Sequence, residues 1–327
     1  MTSSAKVVYD DANLLLGSRR SKRAGALLEE ESMHLSMHNW MRAEPIETTI
    51  RRLAKYGYES IEISGEPYQY DTKEVLGHLK DNGIRCWGSI TLMVEGRNMV
   101  QGSEEGRAKT VQYVKDTVTM VKELEGYEVS IVPGEVGKVN ADSTPEEEWQ
   151  WAVDGLTEIF EHSQQEGIKL AVEPINRFET YFISRAAQAH ALDEAVSPEI
   201  GVCLDTFHLN VEESDPYAAI RDAGDKLVDL HVADNNRLAC GMGSWDWKRV
   251  VDILREIGYD GALTVEFVAP IDRTPANPFP NAIETDPVDI TPEQRKFIED
   301  HGSDLLSEEF YSSLVQRCSE ELLPLIK

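Results

Sequence analysis

Positive charge is scarce in this chain: 32 lysines and arginines stand against 59 aspartates and glutamates, for a formal net charge of −27. Such a field repels a polyanion like DNA unless a local basic groove overcomes it, and the sequence contains no such groove. Long apolar runs are missing as well. None approaches the roughly 18 residues that a membrane-spanning helix needs, so a soluble chain without a membrane partner is expected. Paired arginines in GSRRSKRAG are followed by the acidic LLEEES, not by the apolar segment of an export signal, and a cytoplasmic location is the expectation. The four cysteines, Cys86, Cys203, Cys240 and Cys318, are scattered and form no CxxC pair. That pattern excludes a zinc knuckle or disulfide framework and leaves reduced thiols, with Cys86 and Cys203 expected in the core. No GxGxxG follows the first apolar segment, and no phosphate-cradling glycine loop is evident. A dinucleotide fold is therefore disfavoured, and an unphosphorylated substrate is favoured.

What the chain does have is a repeating unit. From about residue 33, a short apolar segment leads into an amphipathic polar stretch, and a glycine then releases the chain into the next apolar segment. Eight strands are expected, at 34–40, 60–64, 85–90, 128–133, 169–174, 200–206, 226–232 and 262–267. Glycines 57, 83, 126, 167, 224 and 258 stand just ahead of strands. Regular alternation argues for parallel pairing, because parallel neighbours need a long crossover and a helix supplies one. Eight units of ~30 residues fill a (β/α)8 TIM barrel. The expected organisation is a single domain over residues 33–327, preceded by an N-terminal extension, 1–32. A proline-rich excursion at about 270–290 follows the eighth strand, as a lid or interface loop, and the helices EQRKFIEDHG and EEFYSSLVQRCSEELLPLI close the chain.

In a barrel of this kind chemistry sits at the C-terminal ends of strands. Four consecutive strands end on ionisable residues, Glu173, Asp205, His231 and Glu266, spaced 32, 26 and 35 residues apart. A lone carboxylate ending a strand is usually a helix N-cap or a surface residue. Four at one-repeat spacing converge on one point, where three carboxylates would repel one another unless a cation neutralised them. Three oxygen ligands and an imidazole suit Mn²⁺, Mg²⁺ or Co²⁺, with zinc also compatible. His78, His162, His190 and His301 fall in helical or loop patterns and are expected to be solvated. His34 and His38 lie on the first strand, either lining the mouth or packing in the barrel.

The segments EPINRFETYF, LDTFHLNVEE, HVADNNR and IGYDGALTVEF resemble those of the ketose 3-epimerases, the tagatose and allulose epimerases, within the xylose-isomerase-like barrels. The resemblance is specific over residues 145–267 and general before them. It implies a Mn²⁺-type cation held by Glu173, Asp205, His231 and Glu266, with Glu179, His208 and Arg237 gripping sugar oxygens. It further implies an isomerase that forms an enediolate, with Glu173 and Glu266 exchanging the carbon-bound proton on opposite faces, and it implies a homo-oligomer. Arg177 is expected to be structural. The chain departs from the epimerases in DNNRLACGMGSWDW, where Leu238 follows the arginine and Ser244 the glycines, and in the length of the excursion that begins APIDRTPANP. Together with VPGEVGK, these features resemble catalytic α subunits of C-glycoside deglycosylases, lyases that work on 3-keto C-glycosides with a small β subunit. That is the alternative reading. A DNA repair endonuclease on the same barrel conflicts with the net charge, and a non-catalytic sugar-binding barrel conflicts with retention of all four ligand positions.

Overall fold

Each of the eight expected segments forms a strand in the computed structural model, which describes residues 32–42, 44–270 and 307–327. The strands are β1 (His34–Met37), β2 (Ser60–Gly65), β3 (Arg85–Thr91), β4 (Glu128–Ile131), β5 (Lys169–Val172), β6 (Gly201–Asp205), β7 (Leu227–Val232) and β8 (Ala262–Val265). All pair in parallel, in the order β1-β8-β7-β6-β5-β4-β3-β2. The remaining seam, between β1 and β2, is drawn together by a bridge at His38 and Glu62 and by the Glu59 amide, which donates to the Leu35 carbonyl at 3.0 Å. A (β/α)8 TIM barrel results. The N-terminal extension apart from Ser32, the excursion beyond residue 270, the EQRKFIEDHG helix and His301 lie outside the described residues.

Helices α1 (Ile46–Lys55), α2 (Thr72–Asn82), α3 (Glu104–Glu123), α4 (Pro145–Glu166), α5 (Ala186–Val196), α6 (Thr206–Glu212), α7 (Pro216–Ala223), α8 (Trp247–Glu256) and α9 (Glu308–Ile326) surround the strands. Their starts follow side-chain capping: Asp71, Ser103, Thr144 and Asp215 each accept from amides of the first turn, and Pro145 and Pro216 occupy first-turn positions where no amide is needed. Gly83 and Gly167 end α2 and α4 in the left-handed region, at φ 66° and 73°, which a side chain would resist. Among the described residues, no helix is long and apolar enough to cross a membrane.

Strand alternation separates two environments. Ile61, Ile63, Leu170, Val172, Val202, Leu204, Leu230, Val232, Leu263 and Val265 join the hydrophobic layer with the helices. The alternate positions, which face the barrel axis, include Ser36, Glu62, Glu128, Ser130, Asp229, His231 and Thr264, all fully buried. Barrel interiors are more often filled by branched aliphatic side chains, so this column of polar groups departs from the usual filling. Gly88 makes room for it: a Cβ there would collide with both the carboxylate and the carbonyl oxygen of Glu128. Gly88→Ala is expected to lower stability by about 1–3 kcal/mol, the ordinary cost of overpacking, measured as a shift in urea midpoint at unchanged m-value. An unshifted midpoint would mean that Glu128 relocates freely.

Candidate active site

The four strand-end residues meet. Glu173 follows β5 by one residue, Asp205 ends β6, His231 lies within β7, and Glu266 follows β8 by one residue. Each offers a ligand atom, all within 4.8 Å of one another, and all four residues are buried. His231 Nδ1 faces the cluster, 3.0 Å from Glu173 Oε1 and 3.1 Å from Glu266 Oε2. Its Nε2 faces away, 3.2 Å from Glu62 Oε2. A carboxylate behind an imidazole nitrogen draws the proton there and leaves the opposite nitrogen's lone pair to serve as a ligand. The Asp205 carboxylate also serves two purposes. Its Oδ1 accepts from the amides of Phe207 at 2.6 Å and His208 at 3.4 Å, capping α6, while Oδ2 accepts from Arg237.

Arg237 reaches the cluster from the β7–α8 loop, its second guanidinium nitrogen donating to Glu266 Oε1 at 2.6 Å and the Phe207 ring lying 5.0 Å beneath. Its backbone sits at φ 63°, a left-handed conformation uncommon for a residue with a side chain. Buried Asp234 holds this loop in shape, accepting from the amides of Asn235, Gly241 and Trp245 and from the Trp247 indole.

Burial opposes charge throughout the cluster, and the neighbours decide who keeps it. The Glu266 carboxyl lies well below its ordinary value, because Arg237, His38 and His231 outweigh desolvation. In Glu173 desolvation prevails over His231 and raises the carboxyl. Burial also pushes the Cys203 thiol well up, so this neighbour stays neutral. Three carboxylates and one imidazole lie buried within ligand distance of one another, with Arg237 and His38 against their outer oxygens. This donor set fits a hard or borderline divalent cation.

The other site candidates surround this quartet. His208 and Glu179 are joined through Asn176, whose Nδ2 donates to Glu179 Oε1 at 2.6 Å. Arg177 turns outward, its Nε 3.0 Å from Glu212 Oε1, in an exposed ion pair. The two first-strand histidines part ways. His34 packs edge-on against Trp87, with ring centroids 5.0 Å apart, whereas His38 belongs to the site, with Nδ1 2.9 Å from Glu62 and Nε2 3.4 Å from Glu266. Desolvation would lower His38, yet Glu62 and Glu266 raise it to about 9. Glu62 in turn falls to about 2, as His38 and His231 overcome its burial.

Beneath lie Glu128 and Asp229, with ligand-type oxygens within 4.8 Å of Glu62. Burial and neighbouring carboxylates raise both, Glu128 well above the ordinary range. Hydroxyls of Ser130 and Thr264 donate to them. Sequence reasoning missed Glu62, Glu128, Asp229 and Asn176. It also placed His78, His162 and His190 in solvent, whereas all three are half-buried, with His78 3.3 Å from Glu47 and His162 3.0 Å from the Thr119 hydroxyl. All four cysteines are buried, Cys240 and Cys318 included.

Comparison with known proteins agrees with the barrel fold. The chain is 28% identical over 223 residues to the L-ribulose 3-epimerase of Mesorhizobium japonicum, covering 68% of this chain and 75% of that one. It is 29% identical over 226 residues to the D-psicose 3-epimerase of Enterocloster bolteae, covering 66% and 74%. A solved L-ribulose 3-epimerase structure superposes with a TM-score of 0.75 at 22% identity, over 90% of this chain and 94% of that one, which supports the fold. A family model described as the xylose isomerase-like TIM barrel matches residues 50–301. With its eight parallel strands closed into a barrel, the chain belongs to the xylose isomerase-like TIM barrel family.

Proposed function

We propose that the protein is a divalent-cation-dependent ketose epimerase that inverts C3 of an unphosphorylated sugar through an enediolate. The convergence of Glu173, Asp205, His231 and Glu266 carries this reading, and the similarity to ketose 3-epimerases supports it. A cation held by these four residues, Mn²⁺ being the first candidate, would polarise the sugar's carbonyl and its neighbouring hydroxyl. Glu173 and Glu266 approach from strands separated by β6 and β7, so one takes the C3 proton while the other returns a proton to the far face. Running the reaction in reverse exchanges their roles. Arg237 stabilises negative charge on the substrate oxygens, Glu179 accepts from a hydroxyl, and His208 holds another oxygen.

Charge pairing favours a neutral sugar. In the loops after the strands, Arg97 pairs with Glu66, Lys138 with Asp142, Arg177 with Glu212, and Arg237 with Asp205 and Glu266. Among these described cations, a phosphate would have to break one of the pairs. The reported relatives give no support to the lyase alternative or to a small β subunit.

The direct test incubates the Mn²⁺-loaded protein with a panel of free ketoses and a 3-keto-glycoside in deuterated water. Deuterium at C3 with appearance of the new epimer is expected. Failure of every ketose to exchange, with release of an aglycone from the keto-glycoside, would overturn the reading. Chelation should abolish exchange, and Mn²⁺ at 100 times its Kd should add about 2.7 kcal/mol of stability, read as a rise in unfolding midpoint. A midpoint indifferent to Mn²⁺ would remove the cation from the site.

A further inference from the structure

Asn176 is buried, lies four residues beyond the end of β5, and turns its carboxamide nitrogen to both Glu179 and His208. Its Oδ1 accepts from the Phe178 amide at 2.9 Å, an Asx turn that fixes which end of the carboxamide is oxygen. The Nδ2 end lies 2.6 Å from Glu179 Oε1 and 2.9 Å from His208 Nδ1. The backbone amide of Asn176 also donates to His208 Nδ1, at 3.3 Å. A backbone amide can only donate, and Nδ2 is a donor too, so His208 Nδ1 must present its lone pair to both.

We infer that Asn176 is a positioning residue that locks His208 in its Nε2–H form and ties it to Glu179, creating a matched donor and acceptor for two sugar oxygens. The inference rests on the reading of Glu179 and His208 as sugar ligands. His208 then serves an oxygen that accepts, and Glu179 a hydroxyl that donates. A sugar lacking that hydroxyl leaves Glu179 with Asn176 but without the sugar's donor, so the pair contributes to specificity as well as to binding.

The lock can be measured without substrate. In protein labelled with ¹⁵N-histidine, and with the signal assigned by its loss in His208→Gln, His208 should show a protonated Nε2 and an unprotonated Nδ1. Asn176→Asp replaces the donor with an acceptor and sets a carboxylate against Glu179. It should move the His208 proton to Nδ1 and raise KM about 10- to 100-fold, with a much smaller change in kcat. Asn176→Ala keeps the backbone donor and serves as the second variant should the aspartate not fold. It should keep the tautomer while raising KM by a smaller factor. A wild-type His208 protonated on Nδ1, or an unchanged tautomer and KM in Asn176→Asp, would overturn the inference. The expected tautomer in a protein that turns over no ketose would leave the lock standing and sink the epimerase reading instead.

Discussion

Glu173→Gln and Glu266→Gln should each lower epimerisation by about 10³-fold or more, and both should lose deuterium exchange at C3. The substitution keeps side-chain volume and one carbonyl oxygen, so packing at these buried positions is nearly preserved. What disappears is the ability to take or hold a proton, together with a charged ligand. The two variants differ in what they leave behind. Glu266 is held ionised by Arg237 and His38, so its amide takes one counter-charge from each of these two cationic groups. Burial raises Glu173, so its charge is the less favoured of the two, and its amide can keep the His231 contact. Glu266→Gln is therefore expected to be the less stable of the two, as read by thermal unfolding. Epimerisation within tenfold of wild type in either variant would remove that residue from proton transfer.

Glu62→Gln should have the second-largest effect, although Glu62 is placed outside the ligand quartet. It is fully buried and contacts His38 Nδ1 and His231 Nε2 with the same oxygen. Removing its charge releases the orientation of the His231 imidazole, which for a metal-ligating histidine typically weakens affinity about 10- to 100-fold. It also leaves His38 buried without its nearest counter-charge, at a cost of about 3–5 kcal/mol. Titration calorimetry with Mn²⁺ reads the first effect and urea unfolding in chelator the second.

The pH dependence follows from the same pair. His38 rises to about 9 on folding, so its contribution is complete below about pH 6.5 and fades as pH climbs through about 9. Glu62 falls to about 2, so its contribution holds above its unfolded value and is lost only in strong acid. In chelator the wild type should therefore lose stability between about pH 6.5 and 9, and Glu62→Gln should show a flatter profile there. Equal slopes would mean that His38 is not held protonated by Glu62.

The convergence of four strand-end residues was readable because a barrel converts sequence period into spatial proximity. Glu173, Asp205, His231 and Glu266 recur once per unit, and each unit delivers its strand end to the same rim. Glu62, Glu128 and Asp229 went unread for a physical reason: a strand buried on both faces is expected to be apolar throughout. The signal was nevertheless present in SIEIS, EVSI and VDLHV, where polar and apolar residues alternate with period two. That pattern elsewhere denotes a wet face, and here it marks a polar barrel axis. Asn176 left no such trace, because its role depends on a loop turning back toward α6. Nor did Cys240, whose amide donates to the Cys318 sulfur across 78 residues of chain.

The seam between β1 and β2 gives the centre a mechanical dimension. The bridge that draws these strands together is formed at His38 and Glu62, and the same two side chains grip His231 and Glu266. The hoop of the barrel is thus fastened at the point where its chemistry is held, as a belt is fastened by its buckle. Any ion loaded at the rim draws on both ends of that buckle. Amide protons of β1 and β2 should consequently be among those whose exchange slows most when the ion enters.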